Sequence, residues 1–332
     1  KRLAIYIVLG LVLAATVAII SAAGWYFKSL SPRSSADIYS VVNITAGSTT
    51  KQIANTLEEK KVIRSAKAFS YYVKLNGINS LKAGDYRLSS KQSVKEIAQT
   101  IADGKVTTVN VLISPGLRLD QIEAALINDG FAAQDIKTAL TQVRDHPLLK
   151  SLPVETKLEG YLFPDTYKIG PATTAEELFR IMLDNFQSKI TPTIAAGIKE
   201  QDLTINQAVI LASIVQKEVR DPKIQPTVAQ VFLKRLKQGM VLGSDVTYMY
   251  VGALTGKQVD PSLNSPYNTR RFAGLTPTPI SNFNLSALEA VANPSKSDYL
   301  YFGAGDDGKT HFTRTLEEHE AAVKSYCTKL CN

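Results

Sequence analysis

The chain has 332 residues, of which 45% are hydrophobic and 20% are charged. This length accommodates a membrane segment and about two folded domains, and the composition argues against long disordered stretches. The net charge is +8, but the lysines and arginines are scattered along the chain. This distribution argues against nucleic acid as a partner.

The first predicted element is an apolar helix over Leu3–Phe27, a segment without a single charge. A helix of about 20 apolar residues spans a bilayer. The segment is longer than the apolar core of a cleaved signal peptide, although Ser21-Ala22-Ala23 is weakly similar to a cleavage site. It closes on three aromatic residues of the kind found at membrane interfaces, namely Trp25, Tyr26 and Phe27.

Basic residues flank this segment on both sides. Lys1 and Arg2 precede it, which predicts an N-terminus in the cytoplasm, although Lys28 and Arg33 on the other side weaken the asymmetry. We therefore expect residues 1–28 to be an uncleaved, single-pass anchor in the cytoplasmic (inner) membrane. The rest of the chain is then expected outside the cytoplasm.

A small α+β module is predicted over residues 39–106, after a polar linker over residues 29–38. Its elements in chain order are a strand at 39–45, helices at 51–60 and 66–75, a strand at 83–88 and a helix at 94–102. Ser93 and Glu96 have the spacing of a capping box, and Gly104 is a typical helix end. The strand–helix pattern fits a simple packing unit or a lysin-motif-like, carbohydrate-binding module, and favours neither strongly.

A larger mixed α+β domain is predicted over residues 107–332, so the fold class is α+β. Its elements are a strand at 107–113, helices at 119–128 and 133–143, a loop-rich stretch at 148–171, helices at 175–188, 193–201, 204–219 and 227–238, a non-periodic stretch at 239–284, a helix at 285–291, a strand at 299–302, a turn at 303–308 and a helix from 316. A non-periodic stretch as long as 239–284 is usually functional in a compact domain.

The cysteines and histidines give no metal-binding motif. Cys327 and Cys331 lie one helical turn apart near the end of the sequence, a spacing that fits a local disulfide or two free thiols. The three histidines, His146, His311 and His319, are far apart and lack the spacing of a metal site.

The helix at 204–219 carries an unusual carboxylate. At about 100° per residue, position 218 lies almost beneath position 211. Glu218 is therefore predicted on the buried face, with Gln216 and Lys217 outside it. The apolar residues that define this face are Ala208, Leu211, Ala212, Ile214 and Val215.

Two interpretations of Glu218 remain open from the helix alone. It forms a structural ion pair with an arginine, for which Arg220 and Arg235 are the candidates. Alternatively, its partial desolvation raises its pKa, so that it stays protonated near neutral pH. A carboxylic acid of that kind can protonate the leaving oxygen of a glycosidic bond.

The non-periodic stretch supplies candidate sugar contacts. Its short polar and aromatic side chains are typical of carbohydrate sites, where rings pack on aromatic faces and hydroxyls meet polar groups. Ordinary turn chemistry explains each residue singly at least as well. The candidates are Ser244, Asp245, Tyr267, Asn268 and Thr269.

Several ordered motifs resemble the endolytic murein transglycosylase family (MltG, YceG-like) over nearly the whole chain. The motifs are KAGDYR at 82–87, EGYLFPDTY at 159–167, LASIVQKE at 211–218, GSDVT at 243–247, SPYNT at 265–269, DYLYF at 298–302 and His311-Phe312. The resemblance implies that Glu218 is the catalytic residue. It adds Glu159, Tyr161 and His311 as candidate substrate contacts.

The resemblance also implies a reaction. It is the lytic cleavage of the β-1,4 bond between N-acetylmuramic acid and N-acetylglucosamine within nascent peptidoglycan strands, which leaves 1,6-anhydro ends and terminates strand elongation. No metal or organic cofactor is implied. Peptidoglycan strands are the expected substrate, and peptidoglycan synthases (penicillin-binding proteins) are the expected partners at the membrane.

Two alternative functions stay open. A hydrolytic muramidase would need a second carboxylate, for which Asp245 and Asp221 are candidates. A non-catalytic scaffold that binds the wall is the other alternative, and the glutamate retained at position 218 counts against it.

Overall fold

A computed structural model of the chain describes residues 2–150, 152 and 157–327, without the side chains of residues 2–6 and 8. The chain divides into two compact units, the first formed by Lys1–Asn110 with Lys168–Thr173 and the second by Val111–Tyr167 with Thr174–Asn332. The described residues form thirteen α-helices and three two-stranded sheets. The predicted mixed α+β class is confirmed.

The first unit starts with a long apolar helix and continues as a small two-layer α+β structure. Its elements are α1 (Arg2–Leu30), β1 (Tyr39–Ile44), α2 (Thr50–Glu59), α3 (Ala66–Leu75), β2 (Gly84–Ser89) and α4 (Val94–Asp103). The antiparallel strands pair Tyr39 with Ser89 and Ile44 with Gly84. One face of this sheet packs on α2, α3 and α4 to form a single apolar core.

Helix α1 includes a stretch, Leu9–Leu30, whose length and mean hydropathy of 1.8 suit a membrane span. Its most apolar window is not buried by any other described part of the chain. Lys1, on which part of the charge asymmetry depends, lies outside the described residues.

The predicted ends of α4 are confirmed. Ser93 and Glu96 form both hydrogen bonds of a capping box, which satisfies amide groups that the first helical turn leaves free. Gly104 ends the helix in the left-handed conformation at φ +71°. This local chemistry explains why the sequence alone placed the helix correctly.

The remaining elements follow in chain order. They are β3 (Val109–Ile113), α5 (Leu119–Asn128), α6 (Ala133–Gln142), two short 3₁₀ helices (Val143–Asp145 and Pro147–Leu149), β4 (Asp165–Ile169), α7 (Ala175–Lys189), α8 (Pro192–Glu200), α9 (Ile205–Glu218), α10 (Gln225–Lys237), α11 (Asp245–Thr255), α12 (Leu285–Ala292), β5 (Tyr301–Ala304), β6 (Thr310–Thr313) and α13 (Leu316–Tyr326). Strand β3 pairs with β4, and β5 forms an antiparallel hairpin with β6.

Helix α9 is the central helix of the second unit, because it packs against α8, α10, α11 and α12. The prediction that Gln216 lies outside the buried face is wrong. Gln216 is buried, and its Oε1 accepts a hydrogen bond of 3.0 Å from the amide of Asn284. A helix surrounded by neighbours buries nearly its whole circumference, so an apolar stripe does not mark its only buried face. Lys217 is exposed, as predicted.

Besides the two short 3₁₀ helices, two strands and one α-helix escaped the sequence analysis. Strand β4 lies in the stretch predicted as loop at 148–171, α11 lies in the non-periodic stretch, and β6 follows the turn after β5. Residues 245–255 are rich in aromatic and β-branched residues and include a glycine, none of which favours a helix. Tertiary burial of Thr247, Tyr248 and Tyr250 overrides this local preference.

Candidate active site

Glu218 is the last residue of α9 and lies in the wall of a cleft of about 560 Å³. Protein atoms surround its carboxyl group, but part of the side chain remains accessible from the cleft. Its Oε1 accepts a hydrogen bond from the hydroxyl of Ser244. Ser244 immediately precedes α11, so the end of one helix and the start of another meet at this carboxyl group.

A glycine turn and two threonines hold Ser244 in place. Gly243 is in the left-handed conformation at φ +69°, and a Cβ there would lie 2.8 Å from a guanidinium nitrogen of Arg235. The amide of Gly243 donates to the carbonyl of Thr269 at 2.8 Å, and the hydroxyl of Thr247 donates to the carbonyl of Ser244 at 2.7 Å. The serine hydroxyl is therefore presented to Glu218 by a fixed backbone.

The environment of Glu218 raises its pKa. Burial is the largest cause, because it disfavours the ionised form. The hydrogen bond from Ser244 lowers the pKa, the negative charge of Asp245 raises it, and the positive charge of Arg270 lowers it. A glutamic acid that stays protonated to higher pH than usual is suited to general acid catalysis.

The two charged neighbours of Glu218 are paired with each other. Arg270 donates to both carboxylate oxygens of Asp245, one of them at 3.1 Å, and both residues line the cleft. Such a two-point contact fixes the carboxylate geometrically as well as electrostatically.

Glu218 itself forms no ion pair with Arg220 or Arg235 within residues 157–327. Arg235 instead donates to the carbonyls of Leu300 and Leu242, each at 2.7 Å. The geometry therefore gives no support to a structural ion pair at Glu218.

The cleft also has a wall of stacked rings. His311 of β6 stacks on Tyr326 of α13 with centroids 4.0 Å apart, and Tyr301 of β5 stacks on His319 at 5.4 Å. The guanidinium group of Arg235 lies 5.0 Å from the Tyr301 ring centroid. Flat rings and polar groups around a cleft are typical of carbohydrate sites.

Sequence reasoning missed most of this wall. The residues of α13 that line the cleft are spaced three or four apart, which is one helical face: Leu316, His319, Ala322, Val323 and Tyr326. That periodicity was visible in the sequence, but nothing in it indicated that this face covers the end of α9. Tertiary folding alone brings the two together.

Three candidate residues shape a loop rather than line the cleft that the structure describes. Asn268 is buried and donates to the carbonyls of Pro261 and Leu263 at 2.9 and 2.8 Å. Thr269 is buried against Thr247 at 2.9 Å. The Tyr267 hydroxyl lies 2.8 Å from that of Thr278, and its ring packs at 5.3 Å from Tyr250.

Glu159 and Tyr161 lie in the protein interior. The Tyr161 hydroxyl donates to Oδ1 of Asn206 at 2.8 Å. Glu159 accepts hydrogen bonds from the Leu119 amide at 3.0 Å and the Tyr250 hydroxyl at 3.1 Å. Burial raises the pKa of Glu159 to about 7.

The structure therefore groups Asp245 and His311 with Glu218 in one cleft, and the buried Ser244 joins them only through its hydrogen bond to Glu218. Glu159 instead borders a separate cavity of about 360 Å³. In the part of the chain that the structure describes, no group of three or more His, Cys, Asp or Glu side chains is arranged to hold a metal ion. Cys327 also borders the main cleft and is disulfide-bonded, whereas Cys331 lies outside the described residues.

The profile of the YceG-like family matches residues 42–325. A Bacillus subtilis (strain 168) protein named endolytic murein transglycosylase is 34% identical over 93% of this chain and 91% of its own length. A Streptococcus pneumoniae (strain D39) protein of the same name is 31% identical over 95% of this chain, which spans 64% of that relative's length.

A solved structure is similar as well. The crystal structure of a YceG-like protein from Listeria monocytogenes aligns with a TM-score of 0.55 at 33% identity, over 85% of this chain and 98% of that chain. The chain belongs to the YceG-like family.

Proposed function

We propose that this protein is an endolytic murein transglycosylase, a lyase that cleaves peptidoglycan glycan strands, with Glu218 as its acid and base. Membership of the YceG-like family and the names of the Bacillus and Streptococcus relatives support the reaction class. The observation that carries the proposal is the carboxyl group of Glu218, whose pKa burial raises and which lies in the wall of the cleft.

The proposed reaction uses Glu218 twice. As an acid it protonates the oxygen of the bond between N-acetylmuramic acid and N-acetylglucosamine, while positive charge builds at the muramyl anomeric carbon. As a carboxylate it then takes the proton of the C6 hydroxyl of the same sugar. That hydroxyl attacks the anomeric carbon and closes a 1,6-anhydro ring, helped by the large effective concentration of an internal nucleophile.

The arrangement of charges favours this route over hydrolysis. A retaining muramidase needs a second carboxylate free to act about 5 Å from the first. Asp245 is the carboxylate that influences Glu218, and Arg270 engages both of its oxygens. Asp221, the other candidate, is not among the residues that line the described cleft.

We assign direct substrate contacts to the cleft residues Asp245 and His311, and to the buried Ser244 the positioning of Glu218 through its hydroxyl. Tyr267, Asn268 and Thr269 are assigned the support of the loop that carries Ser244. Their buried hydrogen bonds suit that supporting role.

The other parts of the chain complete the proposal. Helix α1 spans the cytoplasmic membrane, which its length and hydropathy support, and the basic Lys1 and Arg2 at its start favour an N-terminus inside. Residues 39–106 form a lysin-motif-like module that binds glycan, and residues 107–332 form the catalytic domain outside the cytoplasm. Penicillin-binding proteins are the proposed partners, and terminating nascent strands is the proposed role.

Digestion of purified peptidoglycan by the full-length protein in detergent tests the reaction. We expect products lighter by one water than reducing-end muropeptides, because the internal hydroxyl replaces water. The Glu218→Gln protein, prepared identically, is the blank. Products with only hydrated, reducible ends would reject the transglycosylase in favour of the muramidase, and no products from either protein would favour the scaffold.

A further inference from the structure

The end of α1 is attached firmly to the first unit. Ser29 is buried, and Leu30 packs against the apolar core of that unit. Arg33 donates to the carbonyl of Ile63 at 2.7 Å. Helix α1 also contacts α3 directly.

A second arginine fixes the residues that follow α1. Arg64, just before α3, donates through two nitrogens to the carbonyl of Pro32 at 2.7 and 3.1 Å. At the start of the predicted linker, Leu30 therefore packs on the folded unit, and Pro32 and Arg33 are hydrogen-bonded to it. Hence the position of α3 along the axis of α1 is set by packing rather than by a flexible tether.

The outer face of α3 is basic and apolar. It consists of Lys67, Tyr71, Lys74 and Leu75, which follow the i, i+4, i+7, i+8 spacing of one helical face. All four side chains are exposed. Leu75 is 74% exposed, more than any other large apolar side chain in the described part of the chain, and Tyr71 is 57% exposed.

The charge of this face differs from that of its neighbours. Helix α3 contains no acidic residue, whereas α2 exposes Glu58 and α4 exposes Glu96. A helix face with lysines beside exposed tyrosine and leucine is typical of helices that lie at an anionic membrane surface.

We propose that this α3 outer face rests on the headgroup layer of the membrane and binds anionic lipid headgroups. The proposal rests on the membrane span proposed for α1. Trp25 and Phe27 are exposed near the end of α1, where aromatic residues mark a bilayer interface. Leu30, three residues further on at the end of α1, packs on the core that includes α3, and α1 contacts α3 directly, which places α3 at headgroup level. Tyr71 and Leu75 enter the interface, and Lys67 and Lys74 meet lipid phosphates.

This surface holds the first unit against the membrane. Helix α1 supplies the covalent anchor, and the outer face of α3 supplies a second contact that depends on lipid charge. A single membrane helix can tilt in the bilayer and carry the firmly attached unit with it, whereas a second contact at the bilayer surface restricts that tilt.

Tryptophan quenching in nanodiscs tests the proposal with the full-length protein. The chain has a single tryptophan, Trp25, so a Trp25→Phe, Leu75→Trp protein reports on the α3 outer face alone. Lipids brominated high on their acyl chains should quench at least half of its emission in discs that contain phosphatidylglycerol. A Trp25→Phe, Val41→Trp protein is the matched control, because Val41 is exposed on the opposite side of the β1–β2 sheet from the core, and it should stay unquenched.

The charge requirement is tested in the same assay. Adding Lys67→Glu and Lys74→Glu to the Leu75→Trp protein should reduce quenching at least twofold, as should discs of phosphatidylcholine alone. Equal quenching with and without the lysines would overturn the proposal. No quenching of the Leu75→Trp protein would also overturn it, whether the face is then solvated or covered by another protein.

Wild-type protein separates this proposal from the one on which it rests. If Trp25 is quenched and the Leu75→Trp reporter is not, only the α3 contact fails. If Trp25 itself is unquenched, the proposed membrane span fails and the α3 contact fails with it. Digestion of peptidoglycan reports on Glu218 independently of both outcomes.

Discussion

Two carboxyl groups of the second unit, Glu218 and Glu159, resemble each other in chemistry and differ in access. Burial raises the pKa of both, for Glu159 to about 7. Glu218 opens on the cleft and has one hydroxyl donor. Glu159 is only 3% exposed and is held by two donors from separate elements, the amide of Leu119 and the hydroxyl of Tyr250.

We expect this difference in access to separate a reactive acid, Glu218, from a structural one, Glu159. A raised pKa marks a functional site only in a probabilistic way, because buried structural groups are perturbed as well. Glu159 joins the start of α5 to the middle of α11, and its donors leave it little freedom to exchange protons with a substrate. Access to the cleft, rather than the pKa shift, makes Glu218 the catalytic candidate.

Replacing each glutamate by glutamine should separate the two roles most strongly. We expect Glu218→Gln to lower cleavage by about 10³-fold or more, which is within the range attributed to acid–base groups. Its melting temperature should stay equal or rise, because glutamine removes a buried ionisable group. Glu159→Gln should keep its activity within about tenfold. Rates of peptidoglycan cleavage and thermal unfolding of both proteins check this. Retained activity in Glu218→Gln together with lost activity in Glu159→Gln would contradict it.

Asp245→Asn should lower activity less, and in a pH-dependent way. The negative charge of Asp245 raises the pKa of Glu218, and its loss leaves the positive charge of Arg270 unbalanced. The pKa of Glu218 should fall, so the acid form is lost at lower pH. We expect activity to fall roughly tenfold on the alkaline side of the wild-type pH optimum and to recover in acid.

The ends of the products that Asp245→Asn forms test the role of Asp245 separately from its rate. Anhydro ends should persist, because Asp245 has no covalent or base role in the proposed reaction. Loss of all activity at every pH, with normal folding, would instead indicate that Asp245 is the second carboxylate of a muramidase.

Ser244→Ala should shift the pH profile in the opposite direction. The serine hydroxyl stabilises the ionised form of Glu218, so its removal raises the pKa further. The fall of kcat/KM at high pH should therefore move to higher pH. At the optimum, kcat/KM should be about tenfold lower than in the wild type, because the carboxylate of Glu218 is stabilised less well. A profile displaced toward acid would contradict this assignment of the hydrogen bond.

Glu159 should have the smallest effect on activity of the residues considered, but it should affect how the stability of the fold depends on pH. Its pKa is about 7 in the folded protein, above the usual unfolded value of about 4.5. The folded state therefore binds more protons between these values, and its stability falls as pH rises from about 4.5 to about 7, by on the order of 3 kcal/mol. Glu159→Gln should flatten this part of the unfolding profile, and an unchanged slope would count against the raised pKa.

Local signals in the sequence predicted much of the fold. The capping box of Ser93 and Glu96 fixed α4, and α3 begins and ends at its predicted residues, Ala66 and Leu75. Helix α11 was missed because its residues favour other structures locally and become helical through burial. The burial of Gln216 was missed because neighbouring helices surround most of α9, whereas the prediction from periodicity assumed a single buried face.

The candidate site was predictable only in part. The position of Glu218 on a buried helix face followed from periodicity, and Ser244 and Asp245 were already candidates from their loop. The pairing of Asp245 with Arg270 and the ring wall of His311 and Tyr326 depend on contacts between distant parts of the sequence. No local pattern carries that information, so the electrostatics of the cleft needed the structure.

The most direct test is titration of the two carboxyl groups by ¹³C NMR in protein labelled at the glutamate side-chain carboxyl. Glu218→Gln and Glu159→Gln assign the two resonances. The account predicts that both titrate above the usual range of glutamate and that only the Glu218 resonance responds when glycan strands are added. A Glu218 resonance that titrates in the ordinary range, or a response to glycan at Glu159 and none at Glu218, would contradict it.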